Sequence, residues 1–263
     1  MKASDLKSCY IGPQISPEQF TSEHFFLYLI TGTMAYFDGD REYKVKPGDC
    51  GIVRRNHLVK YNKMYDDSRH FEKVVVIFDQ AFLKRFHEQY NFQADKSKLR
   101  NAVIKLKSSD LVENFIRSLT PYFTNDGSIH PDFFDLKRSE LLLILLKENP
   151  ELIPVFFDFG MPEKIDIEAF MNKNYRFNVS IERFAYLTGR SLSGFKRDFE
   201  KTFQVSPNRW LVQKRLQEAR FLIEKKNKKP TEIYLDLGFE DLSHFSFAFK
   251  KMFGYAPSAL VPK

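Results

Sequence analysis

Short apolar runs broken by turn residues fill positions 20–80. Phe25 to Ile30 is unbroken and stops at Thr31-Gly32-Thr33; Met34 to Phe37 stops at Asp38-Gly39-Asp40; Tyr43 and Val45 lead into Pro47-Gly48-Asp49; Gly51-Ile52-Val53 and Val74 to Phe78 complete the set. Such short runs, spaced by Gly and Pro turns, predict strands of a small antiparallel barrel or sandwich. Near Phe82 the period changes. Leu111, Phe115, Leu119 and Phe123 recur every four residues, and Leu136 with Leu141 to Leu146 precedes Asn149-Pro150. The spacing predicts helices across about 82–149. Their apolar faces either cover the sheet or pair with a second subunit, and periodicity alone does not separate these outcomes. Pro150, Pro154, Gly160 and Pro162 mark a boundary.

Beyond that boundary the chain reads as helical to its end. Helices are predicted over 166–175, from a Ser180 cap to Leu187, over 191–203, and from Pro207 to about Lys226 behind the Ser206-Pro207 start signal. Shifting Glu182–Pro207 by fifty residues lays it on Glu232–Pro257. Identical pairs are Glu182/Glu232, Leu187/Leu237, Leu192/Leu242, Ser193/Ser243, Phe195/Phe245, Phe199/Phe249, Lys201/Lys251, Phe203/Phe253 and Pro207/Pro257. Each copy is helix, glycine turn, helix, with the turn at Gly189 and at Gly238, the outline of a helix-turn-helix. At 100° per residue, Leu192, Phe195, Phe199 and Phe203 share one face. Arg190, Ser193, Gly194, Arg197 and Lys201 lie opposite. In the second copy Leu242, Phe245, Phe249 and Phe253 form the seat, and Ser243, His244, Phe247 and Lys251 face outward.

Charge sharpens this picture. The chain of 263 residues has 41 Lys and Arg against 34 Asp and Glu, a net of +7. Of these, 19 basic and 12 acidic residues fall from Met161 onward, and residues 1–160 balance at 22 of each. All of the excess therefore sits in residues 161–263, the part that contains the duplication, which suits a polyanion partner. No run of about 18 apolar residues suggests a membrane span, and the first seven residues, Met1 to Lys7, lack the apolar core of a signal peptide. Two cysteines, Cys9 and Cys50, make neither a disulfide framework nor a four-thiolate zinc site. A cytoplasmic, reducing setting is the expectation.

With these residues in view, the last hundred positions resemble the DNA-binding domain of AraC/XylS-type transcription regulators. In the first unit the resemblance rests on Ala185, Gly189, Ser191, Phe195-Lys196-Arg197, Phe199 and Ser206-Pro207. A linker helix with Trp210, Arg215, Ala219 and Leu222 follows. The second unit contributes Ile233, Gly238-Phe239, Asp241, Ser243, Phe245, Phe249-Lys250-Lys251, Phe253-Gly254 and Pro257. The match runs from about Asp166 to Pro262. It departs from the family at Leu235, at Ala259-Leu260, and at Phe247, where an outward Arg is usual. The N-terminal part is similar to the cupin-type barrel of many family members, on Gly32, Pro47-Gly48-Asp49 and Val53-Arg54-Arg55. The same stretch also resembles the N-terminal domains of regulators of type III secretion genes, which keeps a protein ligand open.

The resemblance implies an α+β chain of two domains. One is an N-terminal cupin-like β-barrel with flanking helices over 1–160, regulatory and dimerising. The other is a C-terminal all-α, homeodomain-like domain over 161–263, with helix-turn-helix units at 180–203 and 231–253 joined by helix 207–226. It implies a double-stranded DNA partner read in two successive major grooves. Base contacts are expected from Ser193, Lys196, Arg197, Ser243, His244 and Phe247. Phosphate contacts are expected from Arg190, Lys201, Lys250, Lys251, Ser180 and Thr231, with the lysines Lys225–Lys229 either phosphate contacts or a solvated helix end. Leu141, Leu142 and Leu145 are the candidate contact of a homodimer. RNA polymerase is a further partner, and either a small effector or a partner protein controls the N-terminal domain. An enzyme is the rival class, but His24, His57, His70 and His87 stand singly with no His-x-His pair, so no metal, no cofactor and no catalysis are expected. Methyl-acceptor chemistry at Cys9 or Cys50 has no surrounding cluster to support it.

Overall fold

The computed structural model describes residues 9–11, 19–64, 71–93, 99–123 and 129–260. Met1 to Lys7, His70 and Pro262 lie outside them. Two compact units are present, Met1–Gly160 and Met161–Lys263.

The first unit is rich in sheet. Its strands are β1 (Cys9–Ile11), β2 (Phe20–Thr21), β3 (His24–Thr31), β4 (Thr33–Phe37), β5 (Glu42–Val45), β6 (Cys50–Val53), β7 (His57–Leu58), β8 (Lys60–Met64) and β9 (Glu72–Phe78). Then come α1 (Gln80–Tyr90), β10 (Val103–Leu106), α2 (Asp110–Ser118), α3 (Phe134–Glu148) and α4 (Ile153–Phe156). A five-stranded sheet runs β1-β9-β3-β6-β10, and a three-stranded sheet runs β5-β4-β8. The uninterrupted apolar run of β3 has a simple cause: both faces of the central strand are covered. Phe26 and Ile30 join Ile52, Val76 and Phe78 against α1, α2 and α3. Phe25, Leu27 and Leu29 join Val53, Val75 and Ile77 against Met34 and Val45 of the smaller sheet.

The expected helical stretch 82–149 is interrupted. Val103–Leu106 is a strand that pairs antiparallel with β6, from Val103↔Val53 to Leu106↔Cys50. Four residues are too few for a period to distinguish strand from helix, and this pairing is supplied by a distant segment.

The second unit is wholly helical among the described residues: α5 (Ile167–Asn174), α6 (Ile181–Leu187), α7 (Leu192–Phe203), α8 (Pro207–Lys226), α9 (Pro230–Ile233) and α10 (Leu242–Phe253). Leu216, Ala219 and Ile223 of α8 form a core with Ile233, Phe245 and Phe249.

Candidate nucleic-acid interface

Helices α7 and α10 begin, end and seat themselves alike, fifty residues apart. The Ser191 hydroxyl accepts the backbone N–H of Gly194 at 3.2 Å, and the Asp241 carboxylate accepts that of His244 at 2.6 Å. Each bond satisfies a donor that the first helical turn leaves free. Left-handed residues, Gln204 and Gly254, close the two helices. Phe195, Phe199, Phe245 and Phe249 are fully buried, so each helix has one fixed orientation about its axis.

That orientation decides what faces outward. Ser193, Lys196, Arg197 and Lys201 on α7 are exposed, as are Ser243, His244, Phe247, Lys250 and Lys251 on α10. Phe247 is 70% exposed, an unusual place for an unpaired ring. Lys225, Lys226, Lys228 and Lys229 at the end of α8 are exposed too. Ser180 is an exposed N-cap whose hydroxyl accepts from the Arg183 N–H at 3.3 Å. Thr231 is exposed but does not start its helix: Lys229 occupies the N-cap of α9, and its N–H donates to Glu232 at 3.1 Å.

Arg190 is placed otherwise than the outward face of a helical wheel implies. Its side chain is 10% exposed, and Nε donates to Asp198 at 3.1 Å. Nη1 donates to the carbonyls of Ile165 at 2.8 Å and Thr188 at 2.7 Å. Arg190 precedes α7, so the helical wheel does not govern it, and its Nε and Nη1 are engaged inside the protein. The Arg190 hydrogen bond, with Lys164 and Arg197 nearby, holds the Asp198 carboxyl below the usual carboxylate range. Asp198 also meets Arg197 Nη2 at 3.4 Å, with Arg197 80% exposed. Asp198 carried no signal in the spacing; its partners are Arg190 of the turn, Lys164 and the neighbouring Arg197.

The two turns are tight for different reasons. Gly189 has φ +67°, and a Cβ there would lie 2.5 Å from the carbonyl carbon of Glu163. Gly238 has φ +84°, and a Cβ would lie 2.8 Å from the Arg176 carbonyl oxygen and 2.9 Å from Arg215 Cζ. The turns also differ by one residue. Gly189 N–H donates to Tyr186 and Arg190 N–H to Ala185; Gly238 N–H donates to Leu235 and Phe239 N–H to Tyr234. These matches run at an offset of 49, whereas the recognition helices match at fifty. Glu240 is the added residue, and the Glu182/Glu232 and Leu187/Leu237 identities are not structural equivalents.

Arg215 of α8 ties the stretch ahead of the first helix-turn-helix copy to the turn of the second. Its guanidinium is buried, with Nε donating to the Tyr175 carbonyl at 2.7 Å, Nη1 to that of Gly238 at 2.9 Å and Nη2 to that of Phe177 at 2.8 Å. Burial lowers its pKa to about 10.

In the first unit Leu141, Leu142 and Leu145 are fully buried in the unit's own core. They are not available as a surface contact; Leu136 and Leu143 are the outward leucines of α3. A cavity of about 1070 Å³ is lined by residues of both sheets, among them Phe25, Leu27, Tyr36 and Tyr61. Both cysteines are buried free thiols, and burial raises Cys9 to about 12 and Cys50 to about 11. Neither forms a reactive thiolate near neutral pH. Among the described residues no three His, Cys, Asp or Glu side chains gather as a metal site would need, and no helix is long and apolar enough to cross a membrane.

Comparison with known proteins agrees with this geometry. The ExsA N-terminal regulatory domain matches residues 24–155 and a helix-turn-helix domain matches residues 184–261. The XylDLEGF operon transcriptional activator 1 of Pseudomonas putida is 30% identical over 251 residues, 93% of this chain and 76% of that protein. The chain belongs to the AraC/XylS family. It is an AraC-family DNA-binding transcriptional regulator. A second AraC-family relative, the HTH-type transcriptional regulator ExsA of Pseudomonas aeruginosa, is 23% identical over 256 residues, 96% of this chain and 91% of that protein. The crystal structure of ToxT from Vibrio cholerae overlays with a TM-score of 0.36 at 13% identity, over 98% of this chain and 97% of that one.

Proposed function

We propose that this AraC-family regulator reads a specific DNA sequence in two successive major grooves, α7 entering the first and α10 the second. The observation that carries the reading is the pair of recognition helices, each seated on buried phenylalanines with its polar face exposed. In the first groove Ser193, Lys196 and Arg197 meet base edges; an arginine that takes guanine bidentately supplies about 1–3 kcal/mol of discrimination. In the second, Ser243 and His244 are the polar readers, and the exposed Phe247 ring suits a thymine methyl. Lys201, Lys250 and Lys251, with the Ser180 and Thr231 hydroxyls, contact phosphate, which raises affinity without reading sequence. Arg190 leaves this set because its side chain is 10% exposed and its Nε and Nη1 are bonded internally.

Titrating Arg197→Ala and Lys251→Ala on a selected duplex and on a scrambled one tests the reading. Arg197→Ala should lose sequence preference. Lys251→Ala should weaken both duplexes alike and flatten the salt dependence by about one unit. Equal loss on both duplexes for Arg197→Ala removes its base-reading role.

The N-terminal unit is the regulatory half of the proposal. Its cavity of about 1070 Å³ supports control by a small effector, being at the upper end of ligand-pocket volumes. The exposed Leu136 and Leu143, seven residues apart on α3, support a homodimer contact. The activator name of the Pseudomonas putida relative supports activation, with RNA polymerase as partner, and the setting proposed is the cytoplasm. Native mass spectrometry of freshly purified protein is expected to show a dimer carrying a small molecule. A monomer removes the dimer reading, and a retained protein in place of a small molecule replaces the effector.

A further inference from the structure

Asp198 is one of two acids on α7, with Glu200, and shares the helix with the exposed Lys196, Arg197 and Lys201, where DNA phosphates would repel it. Its side chain is 27% exposed and three cations converge on it. Oδ2 accepts Arg190 Nε at 3.1 Å and lies 3.8 Å from Lys164 Nζ; Oδ1 lies 3.4 Å from Arg197 Nη2. Exposure rises from 10% at Arg190, through 27% at Asp198, to 80% at Arg197. The carboxylate thus bridges an interior guanidinium to an exterior one.

Adjacent residues on a helix point about 100° apart and do not meet by default. The contact between Arg197 and Asp198 therefore selects one course for the arginine's long stem. It engages Nη2, and the guanidinium has four other N–H donors to present outward. A side chain ordered before binding loses less rotamer freedom when it meets its target. Asp198 is fixed from behind. Arg190 is tied to the Ile165 carbonyl at 2.8 Å, and Gly189 leaves no room for a Cβ against Glu163. The residues that open the second unit, Glu163 to Ile165, thereby hold the turn that holds Asp198.

We propose that Asp198 is a positioning residue for sequence reading, which aims the Arg197 guanidinium at a guanine in the first groove and is itself held by Arg190 and the Glu163–Ile165 segment. The inference rests on the base-reading role given to Arg197 above.

The test uses the full chain with the tightest duplex it selects from a random-sequence pool, and a scrambled duplex of equal length. Asp198→Asn, Arg190→Gln, Arg197→Ala and the Asp198→Asn/Arg197→Ala double variant are compared by the ratio of the two affinities. Asp198→Asn and Arg190→Gln should each reduce the ratio roughly three- to ten-fold, a fraction of what a full bidentate contact supplies. Scrambled-duplex binding should stay unchanged or tighten for Asp198→Asn, because a negative charge is removed; this also reports that the variant is folded. In the Arg197→Ala background, Asp198→Asn should change the ratio no further.

Equal weakening on both duplexes, an unchanged or raised ratio in Asp198→Asn, or additive losses in the double variant would overturn the proposal while leaving Arg197 as a base reader. An unchanged ratio in Arg197→Ala would remove the base-reading role itself, and this inference with it.

Discussion

His24 is 2% exposed inside the first unit, its ring edge against Phe156 at 5.4 Å. Its Nδ1 accepts the Arg55 backbone N–H at 3.3 Å, so the neutral ring carries its proton on Nε2, which has no hydrogen-bond partner among the described residues. Burial, and then the charges of Arg55, Arg54 and His57, hold its pKa well below 6.5. The folded ring resists a proton that the unfolded chain accepts, so its contribution is complete above about pH 6.5 and is lost as pH falls below that value. Melting of the first unit should therefore drop between pH 7.5 and 5.5, by at most about 1.4 kcal/mol per pH unit from this group. His24→Asn, which keeps an acceptor for Arg55 and does not titrate, should flatten the dependence; an unchanged slope excludes His24 as its source. At this scale the exposure of the residues proposed to read bases was plain in the sequence, because the phenylalanine stripe fixes which side of each recognition helix faces out. It did not show Arg190, Asp198 or the burial of His24, since their partners come from other segments.

At the scale of elements, α7 and α10 were legible almost to the residue. Each combines a side-chain cap, an apolar stripe of helical period and a closing residue in the left-handed region, and all three signals agree. Helix α3 was legible as a helix, yet its periodicity left open whether it faces the core or another subunit. Leu141, Leu142 and Leu145 turn out to be spent on the core, and only Leu136 and Leu143 look out. The strands β1 and β10 were not legible. Cys9–Ile11 runs parallel to β9 and Val103–Leu106 antiparallel to β6, so each becomes a strand only through a partner more than forty residues away. Helix α9 is four residues long, shorter than the first helix of the other copy. The added residue Glu240 lies beyond that helix and its turn, so the two copies differ in the length of the first helix as well as in the turn.

For the whole molecule, the division of charge was the most informative property of the chain. A net of +7 is modest over 263 residues, but its confinement to the helical unit points to a polyanion partner independently of the placing of the helices. Most of that charge lies between the two copies, on the helix from Pro207 and the lysines Lys225 to Lys229 that end it. Arg215 adds something that neither charge nor repetition contains. One guanidinium is shared by the carbonyls of Tyr175 and Phe177 ahead of the first copy and of Gly238 within the second, so the second turn is held from inside the protein against the stretch ahead of the first copy. The regulator should accordingly tolerate almost no change in the spacing of its operator. One base pair inserted between the two read segments turns one past the other by about 34° and lengthens the gap by ~3.4 Å. Affinity for the lengthened duplex should fall toward that for scrambled DNA in a gel-shift titration; retained affinity would mean that α8 bends. On the proposed two-groove reading, a fixed interval between the two segments becomes as much a part of the recognised word as the bases themselves.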